Sequence, residues 1–411
     1  MYKVLIVEDD QVQRELLKKQ LTNSEFSPTF TQNGLEALDV YRSEFFPIII
    51  TDIFMPEMDG KEFIKKIKTL GKTSRLVVQT SMNDPEGIIG VMHQQVFDYL
   101  IKPVQTETLI SSLRKAKESF EIEFTRRMLE LERENKALVL AQARKIVDAT
   151  LLTSKSKFEK NLFKNLQESF SQGSGFGNLL SLISIASSQP KDENMNTIIN
   201  EELMNLLLNN AQSCQQALIV FSEIEKIISS EMKLESVNQS RLKAILKDGI
   251  MAVQRELKLR NHSAILAEPV IESNKNSALI DIAYFEKAFS ELLINAFKFS
   301  EAGSSILILP EFKKGKFILA ILNIPEKNDS ASQGIPDEYS KLIFEPFFRL
   351  SKTVKEEYDT LEFGLGLTLV EKIIEKLNGR ISVFNVKNYL DQSERNEVLV
   401  NFEIELPAFI E

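Results

Sequence analysis

A doubly wound parallel α/β domain, a helical hairpin and a second α/β sandwich are the folds this sequence predicts, on three observations. Up to about residue 105, short apolar runs (VLIV, PIII, RLVV, FDYLI) alternate with amphipathic stretches, the pattern of a parallel sheet covered by helices. From Thr106 to about Ser188 the apolar spacing turns helical, and after a polar break with a proline, SSQPKDENMN, a second amphipathic helix runs to about Ser230. From about residue 238 to the end, strands (SAILAEP, SILILPEF, FILAILNI, RISVFNV, VLVNFEIELP) mix with helices. The chain is expected to divide into a five-stranded parallel α/β domain (1–120), a coiled-coil linker helix (121–153), a dimerising hairpin (154–235) and an α/β sandwich (236–411).

Each element has its own reason. In the linker, Phe124, Leu131, Leu138 and Leu152 keep heptad spacing, Lys145 interrupts the series, and Asn135 and Gln142 occupy the companion seam. An imperfect dimeric coiled coil is expected, with two hairpins forming a four-helix bundle. The charges of EFTRRMLELERENK are expected to coat the helix as a solvated face without a binding role.

Composition removes several functions. With 411 residues, 43% hydrophobic and 27% charged, the chain can bury two or three cores. A net charge of −9 argues against a nucleic-acid partner, because such binding rests on dense Lys and Arg. One cysteine, Cys214, makes neither an internal disulfide nor a cysteine-rich metal site. The chain opens on an apolar strand, MYKVLIVEDD, with no signal-peptide pattern and no later run long enough to cross a bilayer, so a cytoplasmic protein without membrane insertion is expected.

Glu8 and Asp9 end the strand VLIV, and Asp52 ends PIIIT, so a parallel sheet would gather three carboxylates at its carboxyl edge. Their mutual repulsion calls for a hard divalent cation, Mg²⁺ above others. Asp52 is then the candidate nucleophile toward a phosphoryl group. Lys102 and Thr80, each at a strand end, have the chemistry to neutralise and hydrogen-bond the phosphoryl oxygens.

The ordered set Glu8-Asp9, Asp52 in TDIFMPEMDG, Thr80-Ser81 and Lys102-Pro103 resembles the response-regulator receiver family over the first 120 residues. The resemblance implies phosphorylation at Asp52, metal binding by Glu8, Asp9 and Asp52, and a switch aromatic at Tyr99. It also implies an upstream histidine kinase or phosphotransfer protein as partner. Phe54 and Met82 fall where that family controls water access, and their apolar bulk predicts slow loss of phosphate.

The C-terminal half resembles a sensor histidine kinase, a dimerising hairpin followed by an ATP-binding domain. The hairpin carries no histidine: the only two are His93 and His262, both expected at surface or loop positions. Where the kinase subfamily has His-Asp-x-x-x-Gln, this chain reads LQESFSQ, with Gln167 for the histidine, Glu168 for the acid and Gln172 retained. In that subfamily the glutamine positions the water that attacks an aspartyl phosphate, so phosphatase chemistry at Glu168 and Gln172 is implied without kinase chemistry. A solvated helical turn is the alternative reading.

ELLINAFKFS resembles the N box of the histidine-kinase and gyrase ATPase superfamily, IFEPFFR its F box and FGLGLTLVEKIIEKLNG its last glycine box. The resemblance implies nucleotide binding by Glu291, Asn295, Lys298, Gly364 and Gly366. Two departures argue against ATP. The adenine-reading Asp-x-Gly-x-Gly is absent, leaving Asn323 as the stand-in acceptor, and Glu362 occupies the first glycine of the last box. The leading functional reading is a dimeric phosphorelay protein whose receiver controls a pseudo-histidine-kinase output, a receiver phosphatase or a partner-binding module, with another response regulator among its partners. An active kinase with a non-standard acceptor and a non-catalytic scaffold are the alternatives.

Overall fold

The computed structural model describes residues 2–70, 73–81, 96–147, 176–191, 196–229, 231–271, 276–327, 334–350, 358, 364–387 and 398–410. They form two compact units, Met1–Arg127 and Met128–Glu411.

In the first unit, β1 (Tyr2–Val7), β2 (Phe26–Thr31), β3 (Ile48–Asp52), β4 (Arg75–Ser81) and β5 (Asp98–Lys102) form one parallel sheet in the order β2-β1-β3-β4-β5. The continuous apolar runs are explained by burial of both faces. Successive side chains of a strand point to opposite faces. Leu5, Val7, Ile49 and Val78 therefore enter one core, while Val4, Ile6, Ile48, Ile50 and Val77 enter the other. The strand order reverses between β1 and β3, whose carboxyl ends carry the acidic residues.

Helix starts are written in the sequence. Asp10 caps α1 (Gln11–Leu21), accepting from Val12 N and Gln13 N. Asn33 caps α2 (Gly34–Ser43), and Asp59 caps α3 (Gly60–Thr69). The last helix of this unit begins at Thr106 and runs without interruption to Val147, far beyond the unit itself. Its first turns place Leu109, Leu113 and Ala116 in the core beside β1 and β3.

The second unit contains the hairpin helices Phe176–Ser187 and Glu201–Ser229 and a mixed sheet of eight strands. The first of these helices ends at Ser187 and the second begins at Glu201. The sheet comprises β6 (Glu235–Asn238), β7 (Ser263–Leu266), β8 (Val270–Ile271), β9 (Asn276–Ile280), β10 (Ser305–Lys313), β11 (Lys316–Asn323), β12 (Arg380–Lys387) and β13 (Val398–Ile410). Its main path is β6-β9-β13-β11-β10-β7, with β12 on β13 and β8 on β10.

Helix Ile282–Lys298 packs Phe285, Ala288, Phe289, Leu292, Leu293, Ala296 and Phe297 into the core on one face of this sheet. Helix Gly366–Lys376 lies beside it. Among the described residues, no helix is long and apolar enough to cross a membrane. Truncating Phe289, which is fully buried, is expected to cost about 3–5 kcal/mol, read as a lower denaturant midpoint for the second unit.

Candidate functional site

The carboxyl edge of the first sheet brings the predicted residues together. Glu8, Asp9 and Asp52 each offer a carboxylate oxygen, all within 4.8 Å of one another. Any of the acids at this turn could have been a helix cap; Asp10 fills that role, leaving Glu8 and Asp9 to the edge. Arg14 donates to the carbonyls of Glu8 and Asp9, both at 2.7 Å, and so fixes the acidic turn from one helical turn away. The β3 end is fixed by contact: a Cβ on Gly60 would meet the Asp52 carbonyl at 2.0 Å. Gly60 of MPEMDG is thus a positioning residue, a role visible only once the helix start is packed against the end of β3.

Lys102 Nζ donates to Glu8 Oε2 at 2.7 Å and to Asp52 Oδ2 at 2.5 Å. Burial alone would lower the Lys102 ammonium, but these two carboxylates outweigh it and raise its pKa. Burial pushes the Glu8 carboxyl up, with Lys102 opposing. The Glu8 side chain is 1% exposed, and its Oε1 is buried without a hydrogen-bond partner. A buried, unpartnered carboxylate oxygen on a residue grouped with two further carboxylates suits a hard divalent cation, which would supply the missing countercharge.

Thr80 is buried at the end of β4, and pairing of β4 with β5 sets it opposite Ile101, beside Lys102. Tyr99 is half-buried against the core formed by Leu5, Val7 and Val78. Phe54 is 56% exposed beside the site. Met82, His93, Gln167, Glu168, Gln172 and Glu362 lie outside the described residues.

In the second unit the three boxes converge. A Cβ on Gly366 would lie 2.8 Å from Glu291 Oε2 and 4.0 Å from Asn295 Nδ2, so the glycine box abuts the N-box helix directly. Gly364 adopts φ +68°, and its carbonyl accepts from Phe347 N of the F box at 3.0 Å. Asn323 is buried at the end of β11, and the chain just beyond it runs against the end of the N-box helix, with Glu326 N donating to Phe299 O. Lys298 is buried there too. Burial raises the Glu291 carboxyl pKa, opposed by Lys287 and Lys298. Where the adenine-reading glycines are expected, Asn385 instead clamps Ile335 through both its amide groups, at 3.0 and 2.7 Å.

His262 lies in the loop just before β7, one of the two expected placements, but it is not at the surface. It is 5% exposed, stacked on Phe297 with centroids 6.0 Å apart, and its Nδ1 lies 3.3 Å from Ser304 O. Burial lowers its pKa. The flanking polar residues of LKLRNHSAIL hid this, because Arg260 there turns inward to the carbonyls of Lys298 and Ser300.

The Glu8 carboxyl sets a pH dependence. Its folded pKa lies above its unfolded value, so without metal the fold loses stability as pH rises through that window, and metal binding requires the ionised form. Mg²⁺ affinity, measured by calorimetry, is expected to rise with pH above the ordinary glutamate range and then level off. In Glu8→Gln that pH dependence is expected to vanish.

Two family models match the chain: the response regulator receiver domain over residues 4–114, and the histidine kinase-, DNA gyrase B- and HSP90-like ATPase over residues 280–408. Chemotaxis protein CheY of Listeria monocytogenes is 32% identical over 118 residues, which are 28% of this chain and 98% of that protein. Transcriptional regulatory protein ZraR of Klebsiella oxytoca is 31% identical over 113 residues, and there the chain spans only 26% of the relative's length. Among solved structures, Acinetobacter baumannii histidine kinase AdeS is 20% identical with a TM-score of 0.37, covering 57% of this chain and 94% of that one. The chain belongs to the two-component signalling proteins, as a response-regulator receiver domain fused to a histidine-kinase-like ATPase module.

Proposed function

We propose that Asp52 accepts a phosphoryl group from a histidine kinase or phosphotransfer protein, and that the loaded receiver controls a dimeric, kinase-like output. That output acts as a phosphatase on an aspartyl phosphate or as a partner-binding module rather than as a kinase. The observation that carries the first part is Lys102 held between Glu8 and Asp52 beside an unpartnered Glu8 oxygen.

The chemistry follows from that arrangement. A carboxylate oxygen of Asp52 forms the new bond to phosphorus as the bond to the donor breaks, and the donor leaves with its electron pair. Mg²⁺, held by Glu8, Asp9 and Asp52, would neutralise charge on the transferring group. With these carboxylates no longer dependent on its ammonium, Lys102 is released to the phosphoryl oxygens, and the Thr80 hydroxyl donates to another. The half-buried Tyr99 is suited to follow Thr80. Phe54, whose backbone N lies 3.4 Å from Asp52 Oδ1, is suited by its apolar bulk to shield the acyl phosphate from water.

The hairpin supports a dimeric output. Leu180, Ile183, Leu208, Leu218 and Ile219 on its helices are 48–62% exposed in a single copy, an apolar surface suited to a second hairpin. The absence of a histidine from the hairpin sequence supports an output other than autophosphorylation. The phosphatase reading rests on Glu168 and Gln172.

One observation favours a second reading, an active kinase: Gly366 of the glycine box lies directly against Glu291 and Asn295 of the N-box helix. His262 makes a poor acceptor, since its ring is stacked on Phe297 and 5% exposed.

Incubation with a small phosphodonor and Mg²⁺ is expected to add one phosphoryl group, located at Asp52 by peptide mass spectrometry and absent in Asp52→Asn. In Lys102→Met the loading rate is expected to fall roughly 10²-fold or more, since a preorganised charge at the transferring group is removed. The lifetime of that phosphate in Gln172→Ala separates the outputs. A longer lifetime than wild type assigns phosphatase action to the protein itself, and an equal one leaves a second receiver or a bound partner as the target. Labelled phosphate transferred from ATP onto the chain would refute the pseudokinase.

A further inference from the structure

The linker helix is divided between the two units: its residues up to Arg127 belong to the first, and those from Met128 to the second. The reason lies in charges expected to be solvated. Arg133 is only 22% exposed, and its guanidinium bonds Glu403 and Glu311 together, at 2.9–3.0 Å to each. One turn earlier, Glu130 pairs with Lys313 of β10. One turn later, Lys136 Nζ sits 4.0 Å over the centre of the Phe384 ring of β12. Leu129, on the same side of the helix, is 2% exposed.

These contacts use the face of the sheet opposite the N-box helix. Ile308, Leu319, Phe402 and Ile404 enter the main core, whereas Leu309, Glu311, Ala320 and Glu403 alternate to the other side. That face carries Glu311 and Glu403 beside Leu309 and Ala320, with Glu405 and its partner Lys316 further along it. The Glu403 side chain is 4% exposed and that of Glu311 17%, and Asn401 Nδ2, itself buried, donates to Glu403 at 3.3 Å. Two carboxylates so placed require a cation: breaking a buried pair costs several kcal/mol because the remaining charge stays out of water. Lys313 reaches Glu311 at 3.7 Å, and Arg133 is the cation bonded to both acids.

The heptad seam is on the other side of the same helix. Leu131, 47% exposed, lies roughly 160° around from both Leu129 and Arg133, and Asn135, also exposed, roughly 160° from Arg133 and 120° from Leu129, at about 100° per residue. Docking on the sheet therefore leaves the seam open to a second copy.

We propose that Met128–Ala137 is a releasable latch on the ATPase-like domain. Docked through Arg133, it ties that domain to the linker and limits its reach along the hairpin. Phosphorylation of Asp52, transmitted along the continuous helix from Thr106, shifts the docked population. The latch itself rests on the contacts above; its control by Asp52 rests on the phosphoryl-accepting role of that residue.

The test uses the full chain with Leu129→Cys, and thiol labelling is followed peptide by peptide so that Cys214 is read separately. Labelling at position 129 is expected to be slow and to accelerate about tenfold or more when Arg133→Glu is added. Replacing Glu311 and Glu403 by Gln together is expected to do the same without reversing a charge on the helix. A Glu134→Cys control, at an exposed position of the same turn, is expected to label fast in every background, reporting that the helix is intact. Equal, slow labelling at position 129 with and without both sets of changes would overturn the latch.

Beryllofluoride with Mg²⁺, whose binding is read separately as a thermal shift absent in Asp52→Asn, is expected to change the position-129 rate at least threefold. An unchanged rate despite the thermal shift would overturn control by Asp52. No thermal shift would instead overturn the receiver reading and leave the latch standing on the variant data.

Discussion

A carboxylate taken out of water must meet a cation, and much of this structure follows from that constraint. Moving an ion to a protein interior costs several kcal/mol even after relaxation, and only an opposite charge with good geometry offsets it. At the carboxyl edge of the receiver sheet, Glu8 and Asp52 meet it with Lys102, and one Glu8 oxygen is left over. On the outer face of the ATPase-like sheet, Glu311 and Glu403 meet it with Arg133.

The two clusters differ in what they leave open. The receiver edge is under-neutralised, with three carboxylates against one ammonium, so it retains capacity for a divalent cation. The outer sheet face has a guanidinium bonded to both acids and Lys313 nearby. Such an arrangement is suited to holding two elements together rather than to binding a ligand. One continuous helix begins in the core beside the first cluster and contributes the arginine of the second.

In the ATPase-like domain the N, F and glycine boxes pack against one another through backbone close approaches. Gly366 still lets the glycine box close on Glu291 and Asn295, and Gly364 still takes the left-handed turn that joins it to the F box. At the expected adenine end, an amide, Asn385, secures the Gly334-Ile335-Pro336 turn in place of an aspartate-and-glycine loop. The close approach at Gly364 is set by packing, because a Cβ there would collide with Phe348 O at 2.4 Å whatever the domain binds.

The sequence by itself determined the parallel order of elements in the receiver, the carboxylate cluster and its lysine, and the N, F and glycine boxes. Those are local signals: an apolar run buried on both faces, an acid at a strand end, an aspartate three residues before the backbone amide it caps. It carried no sign that His262 is buried or that Arg133 is more than a surface charge. A side chain's solvent exposure depends on what the rest of the chain lays over it, and the partners of Arg133 lie 178 and 270 residues away. On helical periodicity alone, Arg133 falls on the polar side opposite a heptad seam, which is where a solvated charge also belongs. Only the folded sheet, by placing the little-exposed Glu311 and Glu403 side by side where the helix crosses, decided that this charge is held rather than hydrated.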